Sequence, residues 1–273
     1  MRKAIEQVRR NHMNTEELVL KIQEIIKEAG QIMLAAHLNR ADIIAKSGHQ
    51  NFVTEYDKKV QEFLEERLKQ IHPDAHFYAE EDEEHDESVL TQGDVFIIDP
   101  IDGTSNFMKG LYPSCISIGM FREGRPFLGM IYVPQTQDLY CALQGQGAYR
   151  NGKPVMSSED PLEFSLALFG TAPYYSQEII DRAHKTAAFY QEKCIDIRRS
   201  GSAAYDLCMV ASGAAGVYAE PLIQLWDYAA GALIAMEAGA RVTDFEGREL
   251  KFRGASSVIC AGRGVAKENY LPE

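Results

Sequence analysis

The chain has 273 residues, 45% of them apolar and 25% charged, with a formal net charge of −12. These fractions are ordinary for a globular protein and argue against long disorder. No apolar run approaches the roughly 18–20 residues that span a bilayer. The acid excess speaks against a nucleic-acid surface, which needs clustered cations. It leaves room for an anionic substrate wherever a divalent metal inverts the local charge.

Residues 1–13 read as a weakly ordered basic lead-in. The opening Met1-Arg2-Lys3-Ala4-Ile5 leads into no apolar stretch, so a secretory signal is not expected and the cytoplasm is the default location. No linker or internal repeat divides residues 14–273, which are expected to form a single domain. The five cysteines, Cys115, Cys141, Cys194, Cys208 and Cys260, are odd in number and lack Cys-x-x-Cys spacing. They read as buried thiols in a reducing compartment.

Asn14 with Glu17 three residues on predicts a helix start, and Leu18, Ile22, Ile25, Ala29, Ile32 and Met33 follow at helical spacing. Lys46 to Asn51 reads as a loop or hairpin tip. Thr54 and Asp57 form a second capping pattern, ahead of a helix face of Val60, Phe63, Leu64, Leu68 and Ile71. Asp57 thus falls in a first turn, where the helix dipole favours a carboxylate. Asp82 to Glu87 reads as a solvated acidic face.

Val95 to Ile98 predicts a buried strand ending at Asp99, and Cys115–Phe121, Phe127–Val133 and Leu139–Leu143 an antiparallel meander. Strands at Leu166–Phe169, Ile195–Ile197 and Val217–Glu220 alternate with helices near Gln177–Gln191, Ser202–Ala211 and Trp226–Ala238. The last strands are expected at Arg241–Asp244 and Ser257–Ala261. The pattern is α+β, with stacked helix and sheet layers.

The most informative string is Asp99-Pro100-Ile101-Asp102-Gly103-Thr104-Ser105-Asn106-Phe107. An apolar strand delivers two carboxylates three residues apart, Pro100 restricts the backbone between them, and Gly103 permits a tight turn. Thr104 and Ser105 begin a short helix whose free N–H groups suit an anion. Paired hard carboxylates beside amides suit Mg²⁺ and phosphate. There is no Gly-x-Ser-x-Gly elbow, no Walker loop and no histidine pair at metal-ligand spacing, so acyl-transfer and NTPase chemistry lack their parts.

Phe96 to Lys109 resembles the first signature of the inositol monophosphatase family. Trp226-Asp227-Tyr228-Ala229-Ala230-Gly231, continuing to Glu237-Ala238-Gly239-Ala240, resembles the second. The similarity runs from about Thr15 to Ala261. It implies the layered αβαβα sandwich of the inositol monophosphatase and fructose-1,6-bisphosphatase type. It also implies a Mg²⁺-dependent, lithium-sensitive phosphoric monoester hydrolase that acts as a homodimer. The reaction implied is hydrolysis of myo-inositol monophosphate to inositol and phosphate, by in-line attack of a metal-activated water. The same chemistry on fructose 1,6-bisphosphate, NADP⁺ or 3′-phosphoadenosine 5′-phosphate is the alternative. A non-catalytic role with RNA or transcription machinery is a further class. Retention of the carboxylates and the acidic balance argue against that class, and against nucleic-acid or membrane partners.

By the same resemblance, Glu80, Asp99, the Ile101 carbonyl, Asp102 and Asp227 would hold two or three Mg²⁺ ions. Here Ala79 replaces the glycine usual before the first of the two glutamates. Glu80, Thr104 and Asp57 would orient the attacking water. Asp102, Gly103, Thr104, Ser105, Gly201, Ser202, Ala203, Glu220 and Asp227 would contact phosphate or substrate, Glu220 by accepting a substrate hydroxyl. Lys46 matches a lysine on a mobile loop near the metals.

Overall fold

The computed structural model describes residues 14–37, 43–47, 51–172 and 175–270, with backbone alone for 43–47 and 51–52. The lead-in expected at 1–13 lies outside the described residues.

Helix α1 (Thr15–Leu34) starts where the Asn14 side chain accepts the Glu17 amide at 2.8 Å. It buries Leu18, Ile22, Ile25, Ile26 and Met33. Strands β1 (Ile43–Ser47) and β2 (Asn51–Thr54) pair antiparallel. Lys46 lies on β1; its side chain and the hairpin tip at 48–50 lie outside the described part of the structure. Thr54 and Asp57 form a reciprocal capping box at the start of α2 (Glu55–Ile71). Such a cap contributes about 1 kcal/mol.

A seven-stranded sheet follows: β3 (His76–Ala79), β4 (Asp94–Asp102), β5 (Cys115–Arg122), β6 (Arg125–Val133), β7 (Asp138–Leu143), β8 (Ala148–Arg150) and β9 (Lys153–Val155), in that spatial order. Only the β3–β4 pair is parallel. The short helix α3 (Thr104–Lys109) leads from β4 towards β5. The second sheet holds β10 (Leu166–Phe169), β11 (Asp196–Arg198), β12 (Val217–Ile223), β13 (Arg241–Thr243) and β14 (Ser256–Ala261) in the order β11-β10-β12-β14-β13. Its helices are α4 (Gln177–Gln191), α5 (Ala203–Ala211), α6 (Leu225–Glu237) and α7 (Lys267–Tyr270).

Side chains alternate across a strand, and here the central strands of both sheets are buried on both faces. On β4, Phe96 and Ile98 pack with α1 and α2, while Val95 and Ile97 face α5 and α6. On the second sheet Tyr218, Val258 and Cys260 meet that same middle layer. Val217, Ala219, Ile259 and Ala261 turn outward to Tyr190 of α4. Three cores therefore join five layers, α1/α2, first sheet, α5/α6, second sheet and α4, the middle core enclosing α5/α6 between the two sheets. The αβαβα sandwich expected from the sequence is the observed fold. Fully burying one such aliphatic side chain contributes about 1.5–3 kcal/mol, so the middle core dominates.

The small residues of α6 let it sit almost on the first sheet. A Cβ at Gly129 of β6 would lie 2.5 Å from the Ala230 carbonyl oxygen, a contact only glycine avoids. That approach sets the first turn of α6, with Asp227, beside the end of β4.

Several expectations need correction. The sequence reading missed β3, β8 and β9, and the strand expected at 195–197 runs Asp196–Arg198. Cys115, Cys208 and Cys260 are buried, whereas Cys141 and Cys194 are half-buried; all five are free. Asp82 to Glu87 is not simply a solvated face. Asp82 accepts the Ala79 amide at 2.9 Å and the Gln61 amide group at 3.0 Å. The His85 ring lies 4.6 Å from that of Trp226. Among the described residues, no helix is long and apolar enough to cross a membrane.

Candidate active site

Backbone register assembles the carboxylates. In the parallel β3–β4 pair Ala79 stands beside Ile98, and the Glu80 amide donates to the Ile98 carbonyl at 3.0 Å, so Glu80 comes next to Asp99. The ladder to β5 then slips between Asp99 and Asp102. Pro100, which has no N–H to give, falls within that irregularity, and the Ile101 amide turns back to the Asp99 carboxylate at 3.0 Å. Asp227 arrives from the first turn of α6, where its Oδ2 accepts the Gln224 amide at 2.9 Å. One oxygen each from Asp99, Asp102 and Asp227 lie within 4.8 Å of one another.

These groups suffer from each other's company. Burial first, then the charges of Glu80, Asp102 and Asp227, hold Asp99 well above the usual carboxylate range. Asp227 is raised by desolvation at the cleft floor and by Asp102 and Glu80. Burial pushes Asp102 up to about 6, against the pull of three donors from the start of α5. Those donors are the Ser202 hydroxyl at 2.6 Å, the Ala204 amide at 2.7 Å and the Ala203 amide at 3.3 Å. Buried like charges this close persist only when neutralised by protons or cations. Hard oxygen donors clustered at this spacing fit a small divalent cation such as Mg²⁺.

A cleft of about 290 Å³ opens over this cluster. Its floor carries Glu80, Asp99, Ile101, Asp102 and Asp227, and one wall carries Gly103, Thr104 and Ser105. Gly103 turns the chain at φ +88° before α3. The Thr104 hydroxyl donates to the Ile101 carbonyl at 3.1 Å and to Asp57 Oδ1 at 3.3 Å. Asp57 is buried behind Thr104, where its Oδ2 accepts the Thr54 hydroxyl at 2.6 Å and the Thr54 amide at 2.7 Å. Gly201, Ser202 and Ala203 also line the cleft and lie against Gly103, where a Cβ would stand 3.3 Å from the Gly201 carbonyl oxygen. The Ser202 hydroxyl and the Ala203 amide are spent on Asp102. Asn106 ties the walls together by donating to the Pro113 and Ser200 carbonyls at 2.7 and 2.9 Å.

The far end of the cleft carries Glu220, 6% exposed, whose carboxylate accepts the hydroxyls of Tyr218 at 2.6 Å and Tyr175 at 3.3 Å. Burial pushes Glu220 up to about 7, opposed by those hydroxyls and by Arg199. Gly170, Thr171, Tyr175, Arg199 and Asp206 line this end, and the sequence reading missed all five. Signals existed for two of them. Asp206 lies four residues after Ser202, on the same helix face, and Arg199 lies two before Gly201.

Gly170 is sterically committed to Glu220. A Cβ there would stand 1.8 Å from Glu220 Oε2. Gly170→Ala is therefore expected to cost about 1–3 kcal/mol through overpacking. The double variant Gly170→Ala/Glu220→Ala should recover most of that loss relative to Glu220→Ala alone. Thermal unfolding of the four chains checks this, and additive losses would refute it.

The family model for the inositol monophosphatase family matches residues 14–273. Inositol monophosphatase 2 of Solanum lycopersicum is 36% identical over 240 residues, covering 86% of this chain and 89% of the relative. The Nus factor SuhB of Vibrio cholerae is 34% identical over 239 residues, covering 85% and 87%. The crystal structure of the suhB extragenic suppressor protein of Bartonella henselae superposes with a TM-score of 0.79 at 28% identity, covering 90% of this chain and 94% of that one. With a match across nearly its whole length and an acidic cluster suited to cations, this chain belongs to the inositol monophosphatase family, whose members are metal-dependent phosphatases.

Proposed function

We propose that the chain is a Mg²⁺-dependent phosphomonoesterase, with myo-inositol monophosphate as its preferred substrate. The observation that carries this reading is the convergence of Glu80, Asp99, Asp102 and Asp227, from three separate stretches of chain, at the floor of one cleft. These four, with the Ile101 carbonyl, would hold two or three Mg²⁺ ions. When bound, the ions neutralise the carboxylates, polarise the phosphoryl group and make water a better nucleophile.

The chain's own groups bind and orient. Thr104 donates its proton to Asp57 and the Ile101 carbonyl, which fixes its hydroxyl and leaves the oxygen to accept from the attacking water. Glu80 faces the same space and takes that water's proton as general base. Gly103, Thr104 and Ser105 contact the phosphate from one wall, and Gly201 to Ala203 from the other. Attack in line breaks the phosphorus–ester oxygen bond; the leaving oxygen is protonated from water while Glu80 returns the proton it took to solvent, and the alcohol departs towards Glu220, which accepts one of its hydroxyls. Glu220 and the other hydroxyl and carboxylate groups at that end favour a polyol over a nucleotide. The active species is a homodimer in the cytoplasm, with no nucleic-acid or membrane partner.

The relative named a Nus factor supports a second reading, in which the fold serves as a binding partner without turnover. The intact carboxylate set weighs against it. Phosphate release from myo-inositol 1-phosphate, fructose 1,6-bisphosphate, NADP⁺ and 3′-phosphoadenosine 5′-phosphate separates the readings. The inositol ester is expected to turn over fastest, with Mg²⁺ required and Li⁺ inhibiting. A nucleotide preference would overturn the substrate, and silence on every ester with Mg²⁺ would overturn the enzyme.

A further inference from the structure

The alcohol end of the cleft contains a second buried acid that nothing in the catalytic arrangement uses. Asp206 is 2% exposed, stands in the first turn of α5, and lines the cleft. Its amide closes the helix onto the Ser202 carbonyl at 3.0 Å, so its backbone is fixed. Its Oδ1 is buried with no hydrogen-bond partner. Across the same end, the Thr171 hydroxyl is also buried and unpartnered. Native proteins leave few such atoms, because an unmet buried acceptor costs about 1–3 kcal/mol. Two at one end of one cleft mark a place that something completes.

We propose that Asp206 is a specificity-determining residue: its unpartnered carboxyl oxygen takes a hydroxyl of the alcohol half of the phosphomonoester, alongside Glu220. This rests on the phosphatase reading above and deepens it. The chemistry selects a hydroxyl group. Asp206 and Glu220 feel each other's charge and that of Asp102, so two acids face the single opposing charge of Arg199. A second phosphate or carboxylate of the substrate would add like charge to that set. Arg199, the one cation lining the cleft among the described residues, points its Nη2 at the Thr171 carbonyl at 2.6 Å. A hydroxyl carries no charge and both donates and accepts, so it pairs with Asp206 in either protonation state. With Glu220 meeting one hydroxyl and Asp206 another, the site recognises polyol monophosphates carrying at least two hydroxyls near the ester, and disfavours bisphosphates.

The test compares the wild type with Asp206→Leu and Asp206→Asn on myo-inositol 1-phosphate and p-nitrophenyl phosphate, whose alcohol half has no further hydroxyl. The readout is the ratio of kcat/KM on the two esters. Leucine, which cannot accept, is expected to lower the ratio about 10–100-fold, and asparagine, which keeps an acceptor oxygen, to restore most of it. Equal losses on both esters would assign Asp206 a merely structural role and overturn the proposal, as would an unchanged ratio. Should Asp206→Leu fail to fold, singly deoxygenated inositol phosphates on Glu220→Gln decide. At least one hydroxyl must still change kcat/KM tenfold or more, and if none does the proposal falls. A wild type inactive on both esters would instead sink the phosphatase reading.

Discussion

Asp99→Asn is expected to cut phosphate release by roughly 10³-fold or more, while making the metal-free protein more stable. The two effects share one cause. Asp99 is buried among Glu80, Asp102 and Asp227, and each ionised neighbour raises the free energy of the others. An amide of the same shape removes an acid that the metal-free fold must keep protonated against its usual ionisation, and it leaves no void. The cost appears only when a cation must bind there, because a neutral amide oxygen is a poorer ligand for a hard divalent ion. Loss of a charge-stabilising centre of this kind is worth several kcal/mol at the transition state, and each 1.4 kcal/mol is about tenfold in rate. Parallel assays of turnover and of unfolding in chelator check both halves. An Asn variant with wild-type turnover would remove Asp99 from the site. One with unchanged stability in chelator would show that the acids do not strain the metal-free fold.

The second large effect is a pH dependence that changes sign with the cation. Asp102 titrates at about 6 in the fold and at 3.8 unfolded; Glu220 titrates at about 7 in the fold and at 4.5 unfolded. Between those limits the folded chain holds protons that the unfolded chain has released. Stability is therefore fully present below the unfolded values and falls as pH rises through the folded ones. The span for Asp102 alone amounts to on the order of 3 kcal/mol, at ~1.4 kcal/mol per pH unit. Coupling between the groups makes the sum less than additive. In chelator the melting temperature should drop by roughly 10 °C between pH 5 and 7.5, at about 2–4 °C per kcal/mol for a chain of this size. The window is well placed: Asp94, Asp138 and Asp244, lowered below the usual carboxylate range in the fold, have their effect at more acidic pH. Excess Mg²⁺ binds the deprotonated folded form, so its stabilisation should grow across the same interval. A melting temperature in chelator that is flat or rising from pH 5 to 7.5 would contradict the origin assigned to the strain.

Much of this was legible in the residues, and the pattern of what was not is physical. Helices α1 and α2 announce themselves through Asn14 and Thr54 as caps and through apolar positions at helical spacing. Strand β4 reads as an apolar run because both its faces are buried. The four acids stand in strings unusual enough to be noticed. Strands β8 and β9, three residues each, carry no alternation long enough to detect and exist because β7 offers an edge. Asp82 and His85 look like members of a solvated acidic run until the fold brings Gln61 and Trp226 against them. Gly170 is equally silent, and Asp206 is marked only by its spacing four residues after Ser202; the meeting of β10, β12 and α5 is what gives them Glu220 as a neighbour.

Asp102 has two attachments at once: it belongs to the acidic cluster with Asp99 and Asp227, and it hangs the start of α5 from its carboxylate through Ser202, Ala203 and Ala204. The helix that bears Asp206 is thus suspended from one of the carboxylates proposed to hold the cation. On that reading, a change of divalent ion that shifts Asp102 is expected to shift Asp206 with it and to alter the ranking of esters; kcat/KM on the two esters with Mg²⁺ and with Mn²⁺ checks this, and an identical ranking would contradict it.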